Sequence, residues 1–243
     1  MKFRYAIILI LTSLSVSIYF IPMKSVSSLL QFQYKDIYIE DESGRWWNGS
    51  LEGVKFSDIY LGKFVLNFEP KLLLSGKWGF NLVAKNNHYN FNGIISYNNA
   101  KNYIIERAVI KISMDNINMG NTKSPFGLSA ITINLPFFSF NKLGCNQTEG
   151  GLLGSLLDKY SLLNQKINIQ AIFQCIDKKL HSTFISYPKE NLLSGKLVID
   201  KNLDYKLEAS SGRILSKIKK LTKLNFTSQP SIKLSGNILE HLN

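Results

Sequence analysis

The sequence predicts a mainly β protein: an N-terminal transmembrane helix followed by a curved antiparallel β-sheet domain with one or two short helices. Three observations carry this. Tyr5–Ile21 is an uncharged, mostly apolar run with Lys2 and Arg4 before it. Beyond it, apolar and polar residues alternate with period two through most of the chain, the pattern of half-buried strands. Polar turn chemistry separates these runs at short intervals, which implies antiparallel neighbours in a meander. At 243 residues the chain fits one membrane segment, residues 1–25, and one β-rich domain, residues 26–243, long enough to bury its own core.

The N-terminal run is judged by length. A spanning helix needs about 17 to 20 apolar residues, whereas the apolar part of a cleaved signal is about 7 to 15. The run fits the lower edge of the first range, so a retained signal-anchor is the reading. Ser25-Val26-Ser27 leaves a cleavage site open as the alternative. Lys2 and Arg4 hold the N-terminus in the cytoplasm under the positive-inside rule, which puts the domain on the other side of the membrane.

Leu29–Tyr38 is read as a first strand, with Ile37 and Ile39 on one face, and Glu40–Glu42 as an acidic, solvated turn. Gly44–Leu82 is the best-marked stretch. It contains all three tryptophans, and Phe64, Leu66 and Phe68 alternate up to a break at Pro70, after which Trp78, Phe80 and Leu82 resume. The same parity links Tyr89, Phe91, Ile95 and Tyr97, then Ile104, Ala108, Ile110, Ile112 and Met114, then Ile131, Ile133, Leu135 and Phe137. Leu152, Leu153, Leu156, Leu157, Tyr160 and Leu163 shift to helical spacing, which predicts a short amphipathic helix over 150–163. Alternation returns at Ile167–Cys175 and continues through His181–Tyr187, Lys196–Ile199, Tyr205–Ala209 and Ser231–Leu239. Ser211–Leu224 has a second helical pattern, lysine-rich on its polar side. Three segments, at Leu72, Asn191 and Ile232, share an apolar-Ser-Gly start, which predicts glycine-assisted turns or bulges at strand entrances.

The chemistry-bearing residues are sparse. His88, His181 and His241 have no metal-ligand spacing, and no nucleophile elbow, HExxH or phosphate loop occurs. Neither an enzyme, a metal site nor a cofactor is indicated. The net charge of +12 comes from 29 basic and 17 acidic residues, but the lysines are scattered and no nucleic-acid motif accompanies them. Cys145 and Cys175 are the only cysteines. In a compartment outside the cytoplasm they are expected to form a disulfide clipping the predicted helix to the sheet, with two buried thiols as the alternative.

Gly44-Arg45-Trp46-Trp47-Asn48-Gly49 and Pro70-Lys71-Leu72-Leu73-Leu74-Ser75-Gly76, in that order behind an anchor, resemble the signature of the N component of bacterial type II secretion systems (general secretion pathway protein N). The motif residues are Gly44, Trp46, Trp47, Gly49, Pro70, Leu73, Leu74 and Gly76, within residues 1–82; residue 68 departs from the pattern, being Phe where Trp is expected. The resemblance implies a non-enzymatic accessory protein of the inner membrane, single-pass, with a periplasmic domain. Its partners would be other secretion proteins of the inner-membrane platform or periplasm. The family is also similar to the AsmA-like proteins, which implies the alternative of a lipid-binding or lipid-transfer module. A solvent-continuous groove lined by residues such as Phe64, Phe80 and Phe91 would mark that alternative, and a closed core would mark a scaffold.

Overall fold

The computed structural model describes residues 2–57, 59–113, 126–158, 167–187, 193–210 and 231–237. Two helices, α1 (Lys2–Tyr19) and α2 (Met23–Gln33), precede the strands. These are β1 (Ile37–Tyr38), β2 (Asp41–Arg45), β3 (Asn48–Phe56), β4 (Ile59–Phe68), β5 (Lys77–Lys85), β6 (Tyr89–Asn98) and β7 (Tyr103–Ser113). There follow β8 (Phe126–Asn141), β9 (Gly144–Asp158), β10 (Ile167–Ile176), β11 (Lys179–Tyr187), β12 (Ser194–Ile199), β13 (Asp204–Ser210) and β14 (Ser231–Asn237). A 3₁₀ turn, Pro70–Ser75, joins β4 to β5.

All the described strands belong to one antiparallel sheet. From β3 onward each pairs with its successor, while β1 and β2 share the outer side of β3. The sheet is curved and does not close, since β14 pairs only with β13 among the described residues. Open sheets beyond about ten strands curl under their own twist. Bulges add to the bend, with register shifts in the β3–β4, β6–β7 and β8–β9 pairs.

Helix α2 packs on the first strands. Met23, Ile39, Leu51 and Val54 are buried together, with Val26, Ile37, Leu61, Phe64 and Leu66 against them. Gly49 permits this contact, because a Cβ there would lie 3.0 Å from Met23 Cγ and 2.7 Å from the Arg45 carbonyl. The sheet's inner face is therefore closed by a helix at β3–β4. Helix α1 is different: Tyr5, Ile7, Leu9, Val16 and Ile18 are all exposed on it. Its 18 residues extend about 27 Å at about 1.5 Å per residue. Among the described residues no helix is long and apolar enough to cross a membrane.

Several sequence expectations are corrected. The first strand over Leu29–Tyr38 is mostly helix α2, and only Ile37–Tyr38 is strand. The acidic turn is the start of β2. The helix predicted over 150–163 is instead strand as far as Asp158, the second half of β9. Gly150, Gly151 and Gly154 weaken a helix there, and ladders to both β8 and β10 satisfy the backbone. Leu152 and Leu153 consequently face opposite ways, and Leu153 is 54% exposed. Two parity assignments fail at bulges, where one extra residue flips the face. Arg107 (φ 52°) puts Ile104 opposite Ser96 and Ser139, on the other face from Ala108, and the break after Asn134 turns Phe138 inward where Phe137 was expected. Of the three glycine turns, Gly76 alone has positive φ, at 69°; Gly195 and Gly236 lie within strands. The lysine-rich pattern at 211–224 and the residues from Met114 to Pro125 lie outside the described residues.

Candidate functional site

The inner face of β7–β13 forms an open groove of about 560 Å³. Strand register builds it row by row. Ile110, Ile133, Leu152, Ala171, Phe184, Gly195 and Ala209 are successive partners across seven strands. A parallel row runs through Phe173, Ser182, Leu197 and Leu207. The lining is almost wholly apolar, Ser182 being its one hydroxyl. Small residues create the depression. Gly195 has no Cβ where the Phe184 ring lies, since one built there would sit 2.4 Å from Cζ. Gly154 and Ala171 similarly leave the floor low between Ile131, Leu152 and Phe184.

Phe64, Phe80 and Phe91, the groove residues suggested by the sequence, share this inner face but do not line the groove. Phe64 packs into the α2 core, and Phe80 joins an aromatic row with its centroid 5.6 Å from that of Phe68. Phe91 stands between Ala84 and Ile110 at the near margin. The signal for the groove itself was the row of small residues opposite large ones, which appears only when the strands are aligned.

The tryptophan motif does a separate job. The last carbonyls of a helix have no partner within it. Here Trp46 Nε1–H donates to the Ile18 carbonyl at 2.7 Å, and Trp47 Nε1–H donates to that of Tyr19 at 3.1 Å. Trp47 stacks on Tyr19 at 5.0 Å, and the Arg45 guanidinium lies 4.6 Å from the Phe20 ring centroid and 5.2 Å from that of Tyr19. The Trp46 ring meets Phe68 at 5.1 Å, and Phe68 in turn meets Trp78 at 6.0 Å. The β2–β3 turn thus grips the end of α1 and transmits its position to the sheet. Gly44 (φ 84°) makes the turn possible, since a Cβ there would lie 2.5 Å from the Asn48 carbonyl oxygen. Pro70 opens the 3₁₀ turn and Gly76 ends it in the left-handed conformation. Leu73 and Leu74 in this turn are 41% and 91% exposed.

Cys145 and Cys175 form the expected disulfide, with Cα atoms 5.5 Å apart. It does not clip a helix. The β9–β10 ladder ends at Gly151 and Ile172, and the bridge joins the two strands beyond that end, beside a Cys145 N–H to Lys178 carbonyl bond of 2.9 Å. Both strands floor the groove. Among the described residues no three His, Cys, Asp or Glu side chains gather as a metal site. In comparisons with known proteins, no family model, no curated protein and no solved structure matches this chain.

Proposed function

We propose that this chain is a membrane-tethered lipid-binding or lipid-conducting module, working outside the cytoplasm without catalysis, whose groove takes phospholipid acyl chains. The open apolar groove across β7–β13 carries the reading. Its volume lies within the range of about 300–1,000 Å³ typical of small-molecule sites. Its rows are long, continuous and poor in hydrogen-bonding groups, which suits an alkyl chain and little else. Burying each methylene contributes about 0.8 kcal/mol, so a chain of ordinary length is held without polar contacts. The exposed apolar surface of α1 supports a tether. Mass spectrometry of lipids retained by full-length protein through gel filtration tests this, with Leu197→Asp as the control carrying the same helix. Phospholipid retained in stoichiometric excess over Leu197→Asp is the expected result. Equal lipid in both refutes the groove reading.

A second reading is the accessory component of type II secretion machinery. What favours it is that Gly44, Trp46, Trp47 and Gly49, the residues of the resemblance, act as one unit at the α1–sheet junction. Cross-linking in cells from position 47 tests it. Adducts with inner-membrane platform proteins support this reading, and their absence removes it.

A further inference from the structure

In a meander the turns alternate between the two ends of the sheet. One end carries the turns at residues 46–47, 69–76, 99–102, 142–143, 177–178 and 200–203, and the last residues of α1 meet the sheet there. The tips at this end have an unusual composition. Leu74 is 91% exposed, Leu143 66% and Leu203 40%, with Leu73 beside them. None of these leucines serves a core, although Leu73 and Leu74 belong to the most clearly marked motif of the sequence. Behind the tips, the exposed rings of Trp78, Tyr97 and Tyr103 cross the inner face at the strand ends, with Phe140 stacked on Tyr103 at 5.3 Å. Lys71, Lys101, Lys142, Lys178 and Lys201 stand exposed on the same turns, and none forms an ion pair among the described residues. The acids at this end are Glu69, Asp177, Asp200 and Asp204. Asp200 is occupied with the backbone N–H groups of Asn202 and Asp204, and Asp204 accepts from Asn237 at 2.8 Å. Of the described tips at the opposite end, Ser57 and Asn86–His88 carry no apolar side chain and Leu193 lines the groove; the exposed aromatics on the strands there are Tyr38, Phe56, Tyr60 and Tyr187.

We infer that this end of the sheet is a membrane-contact rim, resting on an anionic bilayer surface with Leu73, Leu74 and Leu143 inserted among the acyl chains. The inference rests on the membrane-tethered reading. Leucines and lysines on the tips, with amphipathic rings behind them, match the three kinds of contact a bilayer interface offers: hydrocarbon for Leu, anionic headgroups for Lys, and the boundary that favours Trp and Tyr. Charge complementarity selects an anionic surface over a neutral one, and continuity with the end of α1 keeps the rim within reach of it. Leu180, beside the turn at 177–178, and Ile199, beside that at 200–203, line the groove, so its lining extends toward the rim.

The test uses the full chain in phosphatidylcholine vesicles containing roughly a quarter phosphatidylglycerol. Leu74→Cys, Leu143→Cys and His88→Cys are each labelled with an environment-sensitive fluorophore, and a nitroxide near the lipid headgroup serves as quencher. Labels at 74 and 143 are expected to shift to the blue and lose emission, while the label at 88 stays in water. Combining Lys71→Glu, Lys101→Glu and Lys142→Glu, all at exposed positions, returns both to the aqueous spectrum, as does salt of about 1 M, where the screening length falls to about 3 Å. Labels at 74 and 143 that match 88 on vesicle-bound protein overturn the rim and leave the tether and groove standing. Protein that does not float with the vesicles overturns the rim and the tether together.

Discussion

Replacing both Cys145 and Cys175 by alanine is expected to loosen the groove floor as well as destabilise the fold. The bridge spans 30 residues. In the chain-entropy model, closing a loop of that length lowers the entropy of the unfolded chain by an amount worth about 3.6 kcal/mol near 25 °C. For a chain of this size each kcal/mol moves the melting temperature by about 2–4 °C, so the double variant should melt about 7–14 °C lower. The structure adds a local consequence. Because the β9–β10 ladder stops at Gly151 and Ile172, the bridge and the Cys145 N–H to Lys178 carbonyl bond tie the ends of these two strands to each other, while each stays paired to its outer neighbour. Those strands contribute Leu152, Gly154, Ile169, Ala171 and Phe173 to the groove. Thermal unfolding followed by far-ultraviolet circular dichroism, with lipid retention read on the same samples, checks both effects. A fall of less than about 2 °C would refute the entropic argument. A large fall with unchanged lipid retention would show that the bridge does not shape the groove.

Three further positions carry expected outcomes. Trp46→Phe keeps the ring against Phe68 but loses the indole N–H to Ile18, costing about 1 kcal/mol, or about 2–4 °C in melting temperature. Trp46→Ala also loses the ring contact and should cost at least twice as much; unchanged melting with lost secretion would point to an interface instead. Gly44→Ala forces a side chain into φ 84° and against the Asn48 carbonyl, and is expected to cost more than about 1 kcal/mol, measured by urea unfolding. Burial raises the pKa of Tyr89 above its ordinary 10.0, and its hydroxyl donates to the Leu61 carbonyl at 2.6 Å. Above the ordinary pKa the unfolded chain releases this proton first, so the contribution is fully present below about pH 10 and is lost as pH rises through the folded value. Tyr89→Phe should flatten the stability–pH curve above pH 10, and an unchanged slope would rule the residue out.

The strands were legible because a half-buried strand writes its faces into alternate residues. Phe64, Leu66 and Phe68, then Phe80 and Leu82, lie on one inner face as their spacing requires. The break at Pro70 was legible too, since proline disfavours the ladder and opens the 3₁₀ turn there. The leucines at 152, 153, 156 and 157 misled, because paired leucines satisfy helical spacing and two-sided strand spacing alike. Three glycines and two flanking ladders decided for a strand. The bulges at Arg107 and after Asn134 were not legible, since one unpaired residue leaves no mark in composition yet reverses every side chain beyond it.

By itself, then, the sequence determined the class of fold, the cysteine pairing, the break at Pro70 with its glycine-ended turn at Gly76 and the apolar character of the N-terminal helix. These follow from local rules: period, backbone permissiveness and composition. Tertiary structure decided the rest. Only register places Gly154, Ala171 and Gly195 beside Phe184 and Leu152 and so opens a groove away from Phe64, Phe80 and Phe91. Only the meander brings Leu74, Leu143 and Leu203, far apart in sequence, to one end of the sheet. Both are properties of how separate strands align, and alignment is fixed by long-range pairing energies that no single segment contains.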